Sequence, residues 1–226
     1  MSEPSHPVFA RLYDPIMCPV ERSVLEGHRR YLVEDLTGRV LDLGAGTGAM
    51  FPYFQERITE GTDLSPTAIE PDPHMRRRAV ERAHDLDFDV DIGDARAESL
   101  PFADESFDTV VSSLVFCTIP KFDDALSEVV RVLKPGGEFR FLEHVRGSGM
   151  RGVAFDIATP VWKVVAGGCH LNRETDTVFQ SDDRFELVDF SRVDVGGREL
   201  VPIVRGTLRH PPDGSGFARL KDRLAR

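Results

Sequence analysis

An apolar run closing in three alternating glycines, Val40-Leu41-Asp42-Leu43-Gly44-Ala45-Gly46-Thr47-Gly48, constrains this chain more than any other stretch. Glycine carries no Cβ and adopts positive φ at little cost. Gly44 and Gly46 therefore let a strand turn sharply and bring its backbone close to a ligand, and Gly48 lets the next helix pack on the strand. The run predicts a strand, a tight turn and a helix beneath a nucleotide-like cofactor. Alone it does not choose the cofactor, because Gly44, Gly46 and Ala49 also satisfy the G-x-G-x-x-G/A spacing of nicotinamide-binding folds.

The rest of the chain supplies the sheet that such a turn needs. From Arg39 onward, strand-like and helical segments alternate, which is the pattern of a doubly wound, mostly parallel α/β sheet. Strands are expected at Val40–Leu43, Thr67–Glu70, Phe88–Ile92, Thr109–Ser113 and Glu138–His144. Phe185–Val193 and Leu200–Leu208, joined by Gly196-Gly197, read as an antiparallel hairpin closing the sheet. Residues 1–37 read as a helical lid on the same domain, with Phe9, Leu12, Tyr13, Ile16 and Met17 at helical spacing, a break around Pro15–Pro19 and a second helix near Glu21–Leu36. Residues 38–210 form the main domain. Residues 211–226 are a linker and a basic amphipathic tail, in which Phe217, Leu220 and Leu224 share a face among Arg219, Lys221, Arg223 and Arg226. That tail fits a weak peripheral contact with an anionic membrane surface, or a frayed terminal helix.

With 226 residues the chain fits one domain, since chains of this size bury roughly 70–75% of their unfolded surface. The net charge of −10 argues against nucleic-acid binding, which draws its affinity from basic patches. Arg76-Arg77-Arg78 is a short exception that reads as the solvated face of a helix after Pro73. Only four of the 28 basic residues are lysines, and the acids are Asp-rich, as in proteins kept soluble in high salt or encoded by a GC-rich genome. Cys18, Cys117 and Cys169 are odd in number and widely spaced, and Met1–Pro7 lacks a signal-peptide pattern, so a reduced cytoplasm is expected. No apolar run of about 20 residues appears, and Phe155–Cys169, interrupted by Asp156 and Lys163, reads as buried or amphipathic. No obligate protein partner is evident.

Further signals fall at the carboxyl ends of successive strands, where ligands of open α/β sheets bind. Glu70, in Ile69-Glu70-Pro71-Asp72-Pro73, can hold a vicinal diol because a carboxylate accepts two hydrogen bonds. Asp63 competes for that role. It lies nearer the offset of about 20 residues from the glycine turn, but Leu64-Ser65-Pro66 after it looks like a loop. Asp94, in Gly93-Asp94-Ala95, is placed to accept from an exocyclic amine such as adenine's, or else caps the following turn. Asp108 is expected to order its turn, and His74 to contribute to local capping.

Together with Leu100-Pro101-Phe102 and Arg131-Val132-Leu133-Lys134-Pro135-Gly136-Gly137-Glu138, these segments resemble the class I S-adenosylmethionine-dependent methyltransferases over roughly residues 38 to 145. The resemblance implies a seven-stranded Rossmann-like sheet with its last strand antiparallel and S-adenosyl-L-methionine as cofactor. It places Asp42, Gly44, Ala45, Gly46, Thr47 and Gly48 around the methionine portion, Glu70 and Pro71 on the ribose, Asp94 and Ala95 at the adenine, and Ser113 and Leu114 beside them. A dehydrogenase becomes a minor alternative. Within the superfamily the chain is similar to the methyltransferase-like alkyl-thiol methyltransferases. The matching residues are Glu70-Pro-Asp-Pro-His-Met75, Ser113-Leu-Val-Phe-Cys117, Phe141-Leu-Glu-His-Val145, Pro160-Val-Trp162 and Gly168-Cys-His-Leu-Asn-Arg-Glu-Thr175. A looser resemblance links it to quinone C-methyltransferases and phospholipid N-methyltransferases.

Methyl transfer from a sulfonium is an in-line displacement, so the protein's task is alignment and exclusion of water. A thiol acceptor reacts as its thiolate, and with an ordinary pKa near 8.5 it gains from a nearby base or cation. His144, ending its strand beside Glu143, is the candidate base, unless the two form a structural pair. Tyr13, Cys117, Cys169 and Arg173 are candidates for the acceptor pocket, with Arg173 set to steady a thiolate or anionic head group, or else to form a surface salt bridge. No Cys-x-x-Cys or His-x-x-x-His spacing exists, so no metal is expected. The reading is a methyltransferase acting on a small, largely apolar acceptor, with a thiol favoured. N- or C-methylation of a phospholipid or quinone, or a cofactor-binding regulator without turnover, are the alternatives.

Overall fold

The computed structural model describes residues 4–20, 24–193, 202–213 and 215–216. Along the chain the elements are α1 (Pro7–Val20), α2 (Glu26–Val33), β1 (Gly38–Leu43), α3 (Phe51–Thr59), β2 (Leu64–Ile69), α4 (Pro73–Asp85), β3 (Asp91–Gly93), β4 (Phe107–Ser113), α5 (Phe122–Val132), β5 (Leu133–His144), α6 (Gly149–Val165), α7 (Thr175–Ser181), β6 (Glu186–Val193) and β7 (Ile203–Arg209). The seven strands form one sheet in the order β3-β2-β1-β4-β5-β7-β6. β1 to β5 pair in parallel, and β7 runs antiparallel to both β5 and β6. The expected doubly wound sheet with an antiparallel final strand is therefore the observed one.

The sheet is buried on both faces because its strands are apolar at consecutive positions. Val110 and Phe141 enter the cluster that contains Leu126, Val129 and Phe179, whereas their neighbours Val111 and Leu142 enter the opposite cluster with Phe51, Phe54 and Ala68. Such alternation follows from the two-residue period of a strand. The first cluster is rich in rings: Phe116, Phe139 and Phe141 all contact Phe179, with centroids 4.6–5.4 Å apart. Burying each ring contributes about 1.5–3 kcal/mol relative to exposure. Strand order reverses at β1, since β2 lies on one side and β4 on the other, and this opens a crevice at their carboxyl ends.

Several expected boundaries shift for identifiable reasons. Leu64-Ser65-Pro66 is strand, not loop. Pairing with β3 starts only at Thr67, so Pro66 borders β1 alone and its missing N–H costs no second ladder bond. Phe88 precedes β3 and serves as a core ring against Phe51, 5.3 Å between centroids. The segment Leu133–Gly137 belongs to β5 through a bulge, held by reciprocal backbone bonds between Gly136 and His210 (2.9 Å) and His210 and Gly137 (2.8 Å). No break occurs at Pro15–Pro19, because α1 continues to Val20. The apolar side chains of α6 face outward, Met150 being 90% and Val164 79% exposed, so that helix is not buried. The Gly196-Gly197 turn and the Phe217–Arg226 tail lie outside the described residues. Among the described residues no helix is long and apolar enough to cross a membrane.

Candidate active site at the carboxyl ends of the parallel strands

The glycine turn leaves β1 with positive φ at Gly44 (+72°), Gly46 (+59°) and Gly48 (+78°). A Cβ on Gly44 would lie 2.5 Å from Val115 Cγ1, and one on Gly48 would lie 2.6 Å from the Phe51 ring. The loop after β4 and the first residue of α3 thus close directly on this turn. At Gly46 the nearest atom to a Cβ is Met75 Cε, 3.7 Å away, so there only the dihedral calls for glycine.

Two buried carboxylates support the turn. Glu70, just past β2, accepts from the Gly46 N–H through Oε2 (2.9 Å) and from the Asp72 N–H through Oε1 (2.8 Å). Burial nonetheless holds its carboxyl above the usual range. Asp42, at the end of β1, is pushed up to about 7 by burial, with Arg29 opposing and Glu70 adding to the shift, and its Oδ2 has no hydrogen-bond partner. Ser113 Oγ, at the end of β4, is likewise buried without a partner. Asp63 lies at the amino end of β2, the opposite edge of the sheet, and its backbone carbonyl accepts from Gly38. Geometry therefore separates the two acids that sequence offset had left in competition.

These features fit S-adenosylmethionine. Its ammonium and sulfonium charges suit desolvated carboxylates, and its hydroxyls suit orphaned polar atoms. Ala45 and Thr47 are buried in the same turn, and Pro71 follows Glu70. Leu114 adopts φ +63°, a left-handed conformation rare for a branched side chain, immediately after Ser113. Asp94 is 58% exposed at its side chain and pairs with Arg76 at 2.8 Å, and Arg76 also donates to the Glu70 carbonyl oxygen. Ala95 beside it is buried.

Sequence reading missed the contacts of Asp14, Arg76, Arg78 and Arg82 here. The arginine triplet is not simply a solvated face: Arg76 turns toward Glu70 and Asp94, and Arg78 turns toward Asp14. Asp14 accepts from Thr47 Oγ1 (2.6 Å) and pairs with Arg82 (3.0 Å), tying α1 to the glycine turn. The position of the triplet in the first two turns of α4, where side chains lean back toward the strand ends, was the available signal. His74 gives its backbone N–H to Asp72, which is the actual cap of α4. Asp108 lies within β4 at the far edge and accepts from the Arg39 N–H and from Lys134 Nζ, bracing neighbouring strands and not the turn expected of it.

The other half of the crevice is assembled from distant segments. Neighbours on a strand face opposite ways, and Glu143 and His144 do not bond each other. Glu143 is buried and accepts from Ser112 Oγ (2.7 Å) and the Val115 N–H (3.0 Å), so it braces the loop after β4. His144 is also buried. Its Nε2 lies 2.8 Å from Cys169 Sγ, and its Nδ1 has no partner. Cys117 completes a cluster in which one donor atom from each of the three residues lies within 4.8 Å of the others. Cys117 and His144 beside it hold the Cys169 thiol well below the usual range, whereas Cys117, buried beside Cys169 and with its Sγ directed to the Leu114 carbonyl (3.6 Å), is pushed well above.

The segment bearing Cys169 is clamped against the loop after β4. His170 donates from its backbone to the Cys117 carbonyl (2.9 Å), and Arg173 Nη1 donates to the Phe116 carbonyl (2.5 Å) with its guanidinium over the Phe122 ring. Arg173 is partly buried, and burial holds its pKa below the usual value against the pull of Cys117, Cys169 and Glu143. Phe9 of α1 packs on Cys117, Ala166 and Cys169, and Tyr13 meets the Phe9 ring edge-on at 5.4 Å. The sequence-predicted acceptor residues thus lie on one side, with Tyr13 joined to the cluster through the Phe9 ring.

Comparison with known proteins agrees with this geometry. A family model described as a methyltransferase domain matches residues 41–141. Thiol S-methyltransferase TMT1B of Rattus norvegicus is 32% identical over 67% of this chain and 65% of its own length, and that of Homo sapiens is 30% identical over 71% and 68%. The chain spans about two thirds of the length of these relatives. A ubiquinone/menaquinone biosynthesis C-methyltransferase of Rhodopseudomonas palustris is 39% identical, over 49% of this chain and 44% of its own. Among solved structures, an S-adenosylmethionine-dependent methyltransferase of Methanosarcina mazei superposes with a TM-score of 0.59 at 23% identity, covering 77% of this chain and 93% of that one. A geranyl diphosphate methyltransferase superposes at 0.64 and 12% identity, covering 82% and 77%. With the glycine turn, the acid after β2 and the closing antiparallel strand all in place, this chain belongs to the class I S-adenosylmethionine-dependent methyltransferases.

Proposed function

We propose that the protein methylates a small, largely apolar thiol. The observation that carries this reading is the buried Cys117, His144 and Cys169 cluster with Arg173 beside it, placed at the carboxyl ends of β4 and β5 next to the glycine turn. When bound, S-adenosylmethionine supplies a methyl group on a cationic sulfur. Asp42 and Glu70 would hold its cationic and hydroxyl groups, and Asp94 and Arg76 would border its base. On the acceptor side, the partly buried Arg173 guanidinium, which interacts electrostatically with both cysteines, would favour the thiolate of an acceptor sulfur brought beside it. Phe9 and the Gly167–Cys169 segment keep water from that side, and a desolvated site favours the meeting of thiolate and sulfonium.

The relatives named as thiol S-methyltransferases support this acceptor, because their similarity spans 67–71% of the chain and not the cofactor half alone. Similarity to the quinone C-methyltransferase stops at 49% of the chain, so it tracks the cofactor fold more than the acceptor. The test is mass-spectrometric detection of product after incubation with the cofactor and a panel of thiols, quinols, amines and phospholipids. A methyl thioether formed catalytically is the expected result. Product from a quinol or phospholipid alone would move the acceptor assignment, and cofactor binding without any product would make the chain a regulator.

A further inference from the structure

We propose that Cys117, His144 and Cys169 form a metal site of the zinc type, with a fourth position open toward the acceptor. Three segments meet there: the loop after β4, the last residue of β5 and the turn after α6. All three side chains are buried, and their donor atoms lie within 4.8 Å of one another. Exposed acidic clusters often lack ions, but two thiols and an imidazole packed together out of solvent are a soft donor set with few other uses. Zinc bonds of about 2.3 Å to sulfur and 2.0–2.1 Å to nitrogen put tetrahedral donors roughly 3.5–3.8 Å apart. His144 Nε2 and Cys169 Sγ, now 2.8 Å apart, must separate slightly. His144 is fixed by the sheet, but Cys169 follows Gly167 and Gly168, at φ +59° and +89°, and can give way.

Charge supports the assignment. Two thiolates and a neutral imidazole cancel the charge of a divalent cation, so the loaded site is neutral and cheap to bury. An acceptor thiolate in the fourth position adds one negative charge, and Arg173 lies close enough to interact electrostatically with both cysteines. Three protein ligands, two Cys and one His, plus one exchangeable position is a known catalytic zinc arrangement. This part rests on the thiol reading. The acceptor S–H would lose its proton to solvent, and a new sulfur–carbon bond would form as the methyl–sulfonium bond breaks, leaving thioether and S-adenosylhomocysteine. Sequence spacing could not show the site, because positions 117, 144 and 169 belong to no local motif.

The test is metal content of the full chain, purified reduced and without chelator, by mass spectrometry, for the wild type and for Cys117→Ser, Cys169→Ser and the exposed control Cys18→Ser. Expected is about one zinc per chain in the wild type and in Cys18→Ser, falling at least roughly tenfold in the other two. Calorimetric binding of S-adenosylmethionine checks that each variant is folded. If the cluster variants do not fold, cobalt(II) added to the reduced wild type decides: a thiolate-to-cobalt charge-transfer band supports the site. Wild type with under roughly a tenth of an equivalent of metal and no such band overturns it. Metal bound without any thioether product would sink the thiol reading and leave the site. Thioether made at full rate by metal-free protein would leave the thiol reading and overturn the fourth position's part in the reaction.

Discussion

The two halves of the crevice are built by different means. The cofactor half is made by one contiguous turn and the acid that follows the next strand, and its shape depends mainly on backbone dihedrals at Gly44, Gly46 and Gly48. The half we assign to the acceptor is lined by side chains from residues 9, 117, 144, 169 and 173, which meet because the sheet brings β4, β5 and the turn after α6 together. A site made by backbone is common to a fold. A site made by converging side chains belongs to a chemistry, and it can change without disturbing the first.

If that division is real, the largest effects should come from the backbone of the cofactor half. Gly44→Ala places a Cβ 2.5 Å from Val115 Cγ1 at φ +72°, so left-handed strain and overpacking combine to a loss of about 2–5 kcal/mol. At Gly46→Ala the added carbon meets nothing closer than 3.7 Å, and only the dihedral strain of about 1–2 kcal/mol remains. Urea unfolding of both variants measures the contrast. Equal losses would mean that the loop after β4 yields freely, and the turn would not be the rigid half.

The next effect in size is electrostatic. Burial raises the Asp42 carboxyl from 3.8 to about 7, so the folded chain holds that proton more tightly than the unfolded chain does. Its contribution to stability is full below the ordinary carboxyl value and is lost as pH rises through about 7. Between pH 5 and pH 7 the ligand-free wild type should lose up to roughly 2–3 kcal/mol relative to Asp42→Asn. Unfolding curves at several pH values read this directly, and parallel profiles for the two proteins would show that Arg29 already compensates the charge.

How much of this was legible follows the same division. Val40–Leu43, Thr109–Ser113 and Glu138–His144 are buried apolar strands, and the glycine turn announces itself, so the fold and the cofactor half were readable. Pro66 and Pro135-Gly136-Gly137 misled because proline and glycine usually end a strand. Here a free edge at β2 and the pairing of residues 136–137 with His210 draw them in. On the acceptor side the residues expected from sequence lie near one another, but their mutual contacts were not legible. A one-dimensional spacing rule can find Cys-x-x-Cys, and it cannot see His144 Nε2 beside Cys169 Sγ.

Two substitutions separate the halves by ligand. Glu70→Gln keeps the side-chain shape but turns an amide donor toward either the Gly46 or the Asp72 N–H, and cofactor affinity should fall roughly 10–100-fold. His144→Ala should leave that affinity within about twofold while thiol turnover drops at least roughly 100-fold. Calorimetry and product assays on both variants would show the crossed pattern. A large loss of cofactor affinity in His144→Ala would merge the two halves into one site.

The smallest effect concerns a helix that touches both. Helix α1 packs Phe9 on the acceptor cluster and, just over one turn later, offers Asp14 to Thr47 of the glycine turn and to Arg82. The Asp14 contacts are partly exposed, so Asp14→Ala should cost at most about 1 kcal/mol and weaken cofactor binding only two- to fivefold. Phe9→Ala removes apolar contact with Cys117 and Cys169 instead, and should raise the thiol KM with cofactor affinity unchanged. If each end of the helix perturbs only its own ligand, α1 is a lid resting on two independent sites. If Asp14→Ala raises the thiol KM as much as Phe9→Ala does, the helix moves as a rigid bar, and cofactor binding itself sets the acceptor pocket.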